Sequence, residues 1–276
     1  MTLRQVAAGR LSLVDMATAD DFSRLTDVAW RKSFEAEHGL FIAEGRLTIE
    51  RALAAGLTPR TVLTSPKFSE ALKAIMPTVE FLIRDDSEIE QVTGYQVHRG
   101  ALASFERPNP LELSDLPAHA KLLLVLEDLV DHENVGTLIR SAAALGVDAV
   151  ILSPTCADPL YRRSIKTSMG SVFHIPWIRA ESTFQILEFL QQRRVEQVAL
   201  TPRGEQTLEL ATEFSAPVAL WLGNEGDGLS NQVINNADRR VAISMHRETD
   251  SVNVAAAGAI AMWQVRTRMT QREGQL

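Results

Sequence analysis

Three observations predict an α/β fold with a parallel sheet in the C-terminal half of the chain. Beyond residue 120, strand-like and helix-like segments alternate. The first of these segments, Lys121–Leu126 (KLLLVL), is a continuous aliphatic run, the pattern of a strand buried on both faces. The stretch Arg107–Ala120 (RPNPLELSDLPAHA) holds three prolines and few aliphatic runs, so it reads as a linker after a smaller α/β segment. The expected division is an N-terminal domain over 1–106, a linker over 107–120 and a second domain over 121–276.

In the first domain, Phe41–Gly56 (FIAEGRLTIERALAAG) carries apolar residues at helical spacing and ends on glycine, a stop signal. Thr61–Leu63 and Glu80–Ile83 read as short strands. In the second, Lys121–Leu126 is followed by a helix at Val135–Leu145, a strand at Ala149–Leu152, a helix near Leu160–Met169 and a strand near His174–Ile178. A helix at Thr183–Arg193 leads to a strand at Gln197–Thr201. Pro217–Leu222 and Val241–Met245 are further strands, and a last helix runs from about Asn253 to Met269. Ligands of such sheets bind beyond the carboxyl ends of the strands. Chemistry is therefore sought in the loops that follow them.

Composition narrows the function classes. With 45% hydrophobic and 23% charged residues among 276, the chain has the make-up of a globular protein. A single cysteine, Cys156, excludes an internal disulfide and any cysteine-cluster zinc site. The six histidines are scattered, so no metal is expected. The N-terminal apolar stretch is short and cut by Arg10 and Asp15, and nothing approaches the apolar length of a membrane span. A cytoplasmic protein is expected. No P-loop and no G-x-S-x-G elbow is present. The formal charge of −7 runs against nucleic-acid binding, which rests on phosphate contacts. Local basic clusters offset it: Arg162, Arg163 and Lys166 lie together, and Arg99 and Arg107 flank a loop.

Three segments have the residues for a site. In Asp131–Gly146 (DHENVGTLIRSAAALG), Asn134 stands where a helix is expected to begin, either as its N-cap or as a polar site group. Gly136 allows another group to approach closely. Arg140 lies among Leu, Ile and Ala, either snorkelling to solvent or held by a partner. In Leu220–Ser230 (LWLGNEGDGLS), a strand runs into a turn with three glycines, which bring backbone groups close to a ligand. The plain alternative is a strand-to-helix loop with Ser230 as cap. GDGLSN has Asn231 where a dinucleotide fingerprint needs its third glycine, which argues against a nicotinamide enzyme. In Val241–Trp263 (VAISMHRETDSVNVAAAGAIAMW), Ser251 and Asn253 precede a helix rich in small residues, as caps or as site groups.

In this order and on this alternation, the segments resemble the three motifs of the SpoU (TrmH-like) family in the SPOUT superfamily of RNA methyltransferases. NVGTLIRSAAALGV looks like the first motif, GNEGDGLS is the second, and SVNV resembles the third. YRRSIKTSMGSVFHIP is similar to the segment between motifs, with Lys166 where arginine is frequent. The resemblance spans about Lys121 to Arg268. HGLFIAEG and the helix after it make the first half similar to the family's RNA-binding domain, a ribosomal-protein-like α/β fold.

The resemblance implies a parallel sheet with a deep trefoil knot, a rare exception to ordinary connections. It implies a homodimer in which both protomers build each active site, with S-adenosylmethionine held in the knot largely by backbone groups. The expected activity is 2′-O-methylation of RNA ribose, on ribosomal RNA rather than transfer RNA because of the N-terminal domain. The alternative is an RNA-binding protein that keeps the fold without turnover. The site residues it implies are Asn134, Arg140, Glu225, Ser251 and Asn253. The cofactor pocket it implies lies around Thr201, Leu222, Gly223, Ile243, Met245 and Val252. Val252 replaces the usual leucine, and Ala255 stands where many relatives have serine. The family proposal makes Arg140 the base. Arginine stays protonated in proteins, so stabilising the developing alkoxide and gripping a phosphate suit it better. Glu225 is expected to pair with Arg140 and fix its direction.

Overall fold

The computed structural model describes residues 20–97, 100–211, 214, 217–247 and 250–273. Arg99, Arg10 and Asp15 lie outside the described residues. The chain divides into two compact units between Arg107 and Pro108.

The first unit holds helix α1 (Val28–Glu37), strand β1 (Leu40–Glu44), α2 (Arg46–Ala54), β2 (Pro59–Thr64), α3 (Pro66–Ile75), β3 (Glu80–Ile83), α4 (Asp86–Thr93) and β4 (Ala101–Glu106). Its sheet runs β1-β4-β2-β3, with β4 antiparallel to both neighbours and β2 parallel to β3. Phe22, Leu40, Ile42, Leu63, Leu82 and Leu102 form its core. The helix expected over Phe41–Gly56 is corrected. Its first four residues are strand, all buried and paired with β4. Gly45 then turns the chain at φ +87°, a conformation that favours glycine, and the helix begins at Arg46. On α1, Arg31 is 1% exposed and donates to Glu35 at 2.7–2.9 Å, as a buried charge requires.

The second unit is a seven-stranded sheet made of β5 (Leu122–Leu126), β6 (Ala149–Leu152), β7 (Trp177–Arg179), β8 (Glu196–Leu200), β9 (Gln206–Thr207), β10 (Val218–Leu222) and β11 (Arg239–Ala242). Their order is β7-β6-β5-β10-β8-β11-β9, and every pairing is parallel. Between them run α5 (His132–Leu145), α6 (Arg162–Thr167), α7 (Thr183–Gln192) and α8 (Asn231–Asn236), and α9 (Val254–Glu273) ends the described chain. Every residue of β5, β6 and β10 is buried, as the aliphatic run in the sequence demanded. Burying each such side chain stabilises the fold by roughly 1.5–3 kcal/mol.

The proline-containing stretch does not behave as a free linker. Leu113 and Leu116 are buried in the core of this second unit, and Leu111 bridges Ile178 of β7. Two strands are shorter than expected. β7 starts only at Trp177, after a single turn at Ser171–Phe173 and after Pro176, which has no N–H for the ladder. β11 stops at Ala242, so Ile243 and Met245 lie past the ladder. No helix of the described residues is long and apolar enough to cross a membrane.

Candidate active site at the carboxyl ends of the strands

Helix α5 begins one turn earlier than its apolar pattern. Asp131 is its N-cap, accepting from the Glu133 N–H at 3.0 Å. Asn134 therefore lies inside the first turn and is no cap, which leaves its side chain available. Gly136 is buried against α6: a Cβ there would stand 2.4 Å from the Ser164 carbonyl oxygen. The close approach read from the sequence is thus a helix–helix contact.

The turn after β10 is closed by two backbone bonds between Asn224 and Gly228, of 3.1 and 3.0 Å. The Asn224 side chain stiffens it, accepting from the Gly226 N–H at 2.7 Å. Glu225 is carried on this turn. Ser230 caps α8, accepting from the Val233 N–H at 3.3 Å. At the start of α9, Asn253 Oδ1 accepts from the Ala255 N–H at 2.8 Å, so it is the cap of that helix.

These three segments meet. Asn253 Nδ2 donates to Asn134 Oδ1 at 3.0 Å, and Asn134 Nδ2 donates to Glu225 Oε1 at 2.6 Å. The direction of the row is forced. Asn253 spends its oxygen on the helix N-terminus, so only its N–H₂ faces Asn134. Asn134 must then turn its own N–H₂ toward the Glu225 carboxylate. One side chain thus caps α9 and joins the row, so capping leaves Asn253 free to serve as a site group.

Arg140 stands apart from this row. Six residues after Asn134, it lies about 9 Å further along α5 and about 120° around it. It is exposed. Neither the Arg140 side chain nor that of Ser251, also exposed, has a hydrogen-bond partner among the described residues. The expected pairing of Glu225 with Arg140 is therefore corrected: Glu225 pairs with Asn134. The reason is geometric, since the two residues of α5 face different directions.

Thr201, Leu222 with Gly223, and Ile243 lie at or just past the ends of β8, β10 and β11, three adjacent strands. Leu222 is buried, while Thr201, Gly223, Ile243 and Met245 are half-buried and Val252 is exposed. Small residues close the space behind them. A Cβ on Gly258 of α9 would stand 2.4 Å from Leu138 and 2.6 Å from Leu222. Ala255 is buried.

Several residues at this rim were not singled out from the sequence. Glu127, at the end of β5, accepts from Ser230. Asp128 has a φ of +54° and accepts from Ser153 at 2.7 Å and from Thr155. Arg179 donates to four carbonyls of the Ser153–Ala157 loop. Cys156 lies under that loop and donates to the Leu126 carbonyl at 3.1 Å, and burial pushes its thiol pKa up. The His132 and Tyr161 rings meet at 4.3 Å. Arg163 and Lys166 are exposed on α6.

Residues 121–263 match the model of the SpoU rRNA Methylase family. An uncharacterized tRNA/rRNA methyltransferase of Mycobacterium bovis is 35% identical over 254 residues, covering 90% of this chain and 88% of its own. The 23S rRNA (guanosine(2553)-2'-O)-methyltransferase RlmP of Bacillus subtilis is 29% identical over 71% of this chain and 84% of its own. A crystal structure of an AdoMet-bound rRNA methyltransferase from Sinorhizobium meliloti superposes with a TM-score of 0.80 at 27% identity, covering 94% of this chain and 97% of that one.

Proposed function

The chain belongs to the SpoU rRNA Methylase family, and on that premise we propose that the Glu225–Asn134–Asn253 row is the polar wall of an RNA ribose methylation site. The protein is an S-adenosylmethionine-dependent RNA 2′-O-methyltransferase, and its substrate is ribosomal RNA. The relatives named as 23S rRNA methyltransferases support that choice of RNA.

The residues past β8, β10 and β11 suit the cofactor. They are aliphatic residues, a threonine and a glycine, and main-chain groups past the end of β11 are free of the ladder. Thr201, Leu222, Gly223, Ile243, Met245 and Val252 would hold it. Its sulfonium makes the methyl carbon electrophilic. When bound, it would supply that methyl to the ribose 2′-oxygen, with sulfur keeping the electron pair of the carbon–sulfur bond and the hydroxyl proton passing to water. What the chain must supply is alignment and relief of charge on the oxygen. Asn134, locked between a carboxylate and a capping amide, can hold a ribose without rotating. The cationic Arg140 stabilises the developing alkoxide and takes the neighbouring phosphate.

Arg140 cannot do this beside the Asn134 of its own chain, given its direction on α5. We infer that the protein is a homodimer in which Arg140 completes the partner's site. The α9 helix packs on α5 and exposes Ile260 at 46% and Trp263 at 57%, an apolar stripe suited to a second copy. The deep trefoil knot belongs to the same reading. It is supported by the placement of β10 between β5 and β8, and by an α9 that returns to α5 after β11. The N-terminal unit is read as the RNA-binding domain, with the exposed Arg163 and Lys166 on the path of the backbone.

Mixed dimers test this directly. Arg140→Ala and Asn134→Ala chains, each inactive alone, restore about a quarter of the activity when co-assembled in equal amounts, because half the dimers gain one intact site. No recovery would mean that Arg140 and Asn134 of one and the same chain serve a single site, and would overturn the assignment.

A further inference from the structure

We propose that Glu127 is a positioning residue for the reaction: it anchors the glycine turn that presents Glu225 and Gly223. The proposal rests on the reading of Glu225 as part of the methylation site.

The observation that carries it is a bidentate grip. Glu127 is 2% exposed, yet it keeps a carboxylate there. Its two oxygens accept from the backbone N–H and the hydroxyl of one residue, Ser230, both at 2.8 Å. An apolar side chain would fill this place at the end of β5 without the cost of a buried charge. A carboxylate is suited instead to fixing the direction of what it holds. Ser230 ends the turn, and the same hydroxyl caps α8.

The neighbouring residue holds the other limb. The Asp128 carbonyl accepts from Asn224 Nδ2 at 2.8 Å, at the start of the turn. Asp128 is itself kept in the left-handed region by Ser153, which accepts from its N–H at 2.9 Å. Two successive residues at the end of β5 thus grip both limbs of a turn about a hundred residues away in sequence. The limbs also touch: a Cβ on Gly223 would stand 2.3 Å from the Gly228 carbonyl carbon. Loosening the Ser230 end therefore moves Glu225 relative to Asn134, and Gly223 relative to the cofactor.

The test uses the full-length protein with Glu127→Ala, Glu127→Gln, Glu225→Ala and the Glu127→Ala/Glu225→Ala double variant. Glu127→Ala lowers kcat by roughly tenfold to a hundredfold, the range of one charge-assisted hydrogen bond. The double variant loses less than the product of the two single losses, because part of the Glu127 effect runs through Glu225. Glu127→Gln recovers most of the rate, since its carbonyl accepts from the Ser230 N–H while its amide donates to the hydroxyl. Hydrogen exchange speeds up in the 223–230 turn of Glu127→Ala, with β5 and β10 as protected as before. If Glu127→Ala does not fold, Glu127→Asp takes its place, keeping the charge but falling short of Ser230. Wild-type rates, strictly additive losses or an unchanged turn each overturn the proposal. Absence of methyl transfer by the unaltered protein would overturn the functional reading instead, and turn exchange would still decide whether Glu127 anchors.

Discussion

Gly136→Ala sets two effects of known size against each other. Alanine is favoured over glycine in a helix interior by about 1 kcal/mol. At this position, however, the new Cβ would stand 2.0 Å from Thr167 Oγ1, 2.4 Å from the Ser164 carbonyl oxygen and 2.9 Å from Ser164 Cα. The hydroxyl can rotate away. The Ser164 backbone cannot, and reaching ordinary contact at 3.4 Å asks α6 to recede by about 1 Å. Overpacking of this kind costs about 1–3 kcal/mol, toward the upper end where backbone is met. The net loss is then about 1–2 kcal/mol, a fall in Tm of about 2–8 °C for a unit of this size. Calorimetry against Ala144→Gly makes the comparison. Ala144 is exposed on the same helix and reports the propensity effect with no contact changed. A rise in Tm for Gly136→Ala would refute the reasoning, because propensity would then have outweighed a contact that gives way freely.

Asn253→Ala removes both the α9 cap and the donor to Asn134, and costs about 1 kcal/mol of stability along with activity. Asn253→Asp keeps the cap but loses the donor, so denaturation reads near wild type while methyl transfer falls. Cys156 resists alkylation in the folded protein at mildly alkaline pH and reacts promptly in denaturant, which a thiol titration checks. Because burial raises its folded pKa, the Cys156 contribution to stability is complete below the ordinary thiol value. It is lost as pH rises toward the folded value. Arg163→Ala and Lys166→Ala each lower the slope of log affinity for RNA against log salt by about one.

Segments buried from both sides were the easiest to read. Ala149–Leu152 has the expected bounds because a run of aliphatic residues can only be satisfied inside a covered sheet. Leu40–Glu44 was lost into a helix because a five-residue buried strand has no period of its own, and the pattern of Arg46–Ala54 ran back over it. The proline-containing stretch hid two core leucines, Leu113 and Leu116, because isolated apolar residues leave no periodic mark. At the site, the motifs pointed to Asn134, Glu225 and Asn253, but spacing alone could not order them into a row. Asn134 and Asn253 are 119 residues apart in sequence. The same distance problem hid Glu127 and Asp128. Each touches a turn about a hundred residues away, one through a buried carboxylate and the other through a carbonyl set by a positive φ. The direction of Arg140 was hidden for a different reason: it depends on where α5 starts, and the cap at Asp131 moved that start back by one turn.

The most direct measurement is methyl transfer from labelled S-adenosylmethionine to unmodified ribosomal RNA and transfer RNA side by side, with Arg140→Ala as control. The account predicts label in ribosomal RNA at alkali-resistant linkages, lost in Arg140→Ala while that variant binds the cofactor as before. Label at alkali-sensitive linkages, or a loss of cofactor affinity in step with activity, would contradict it.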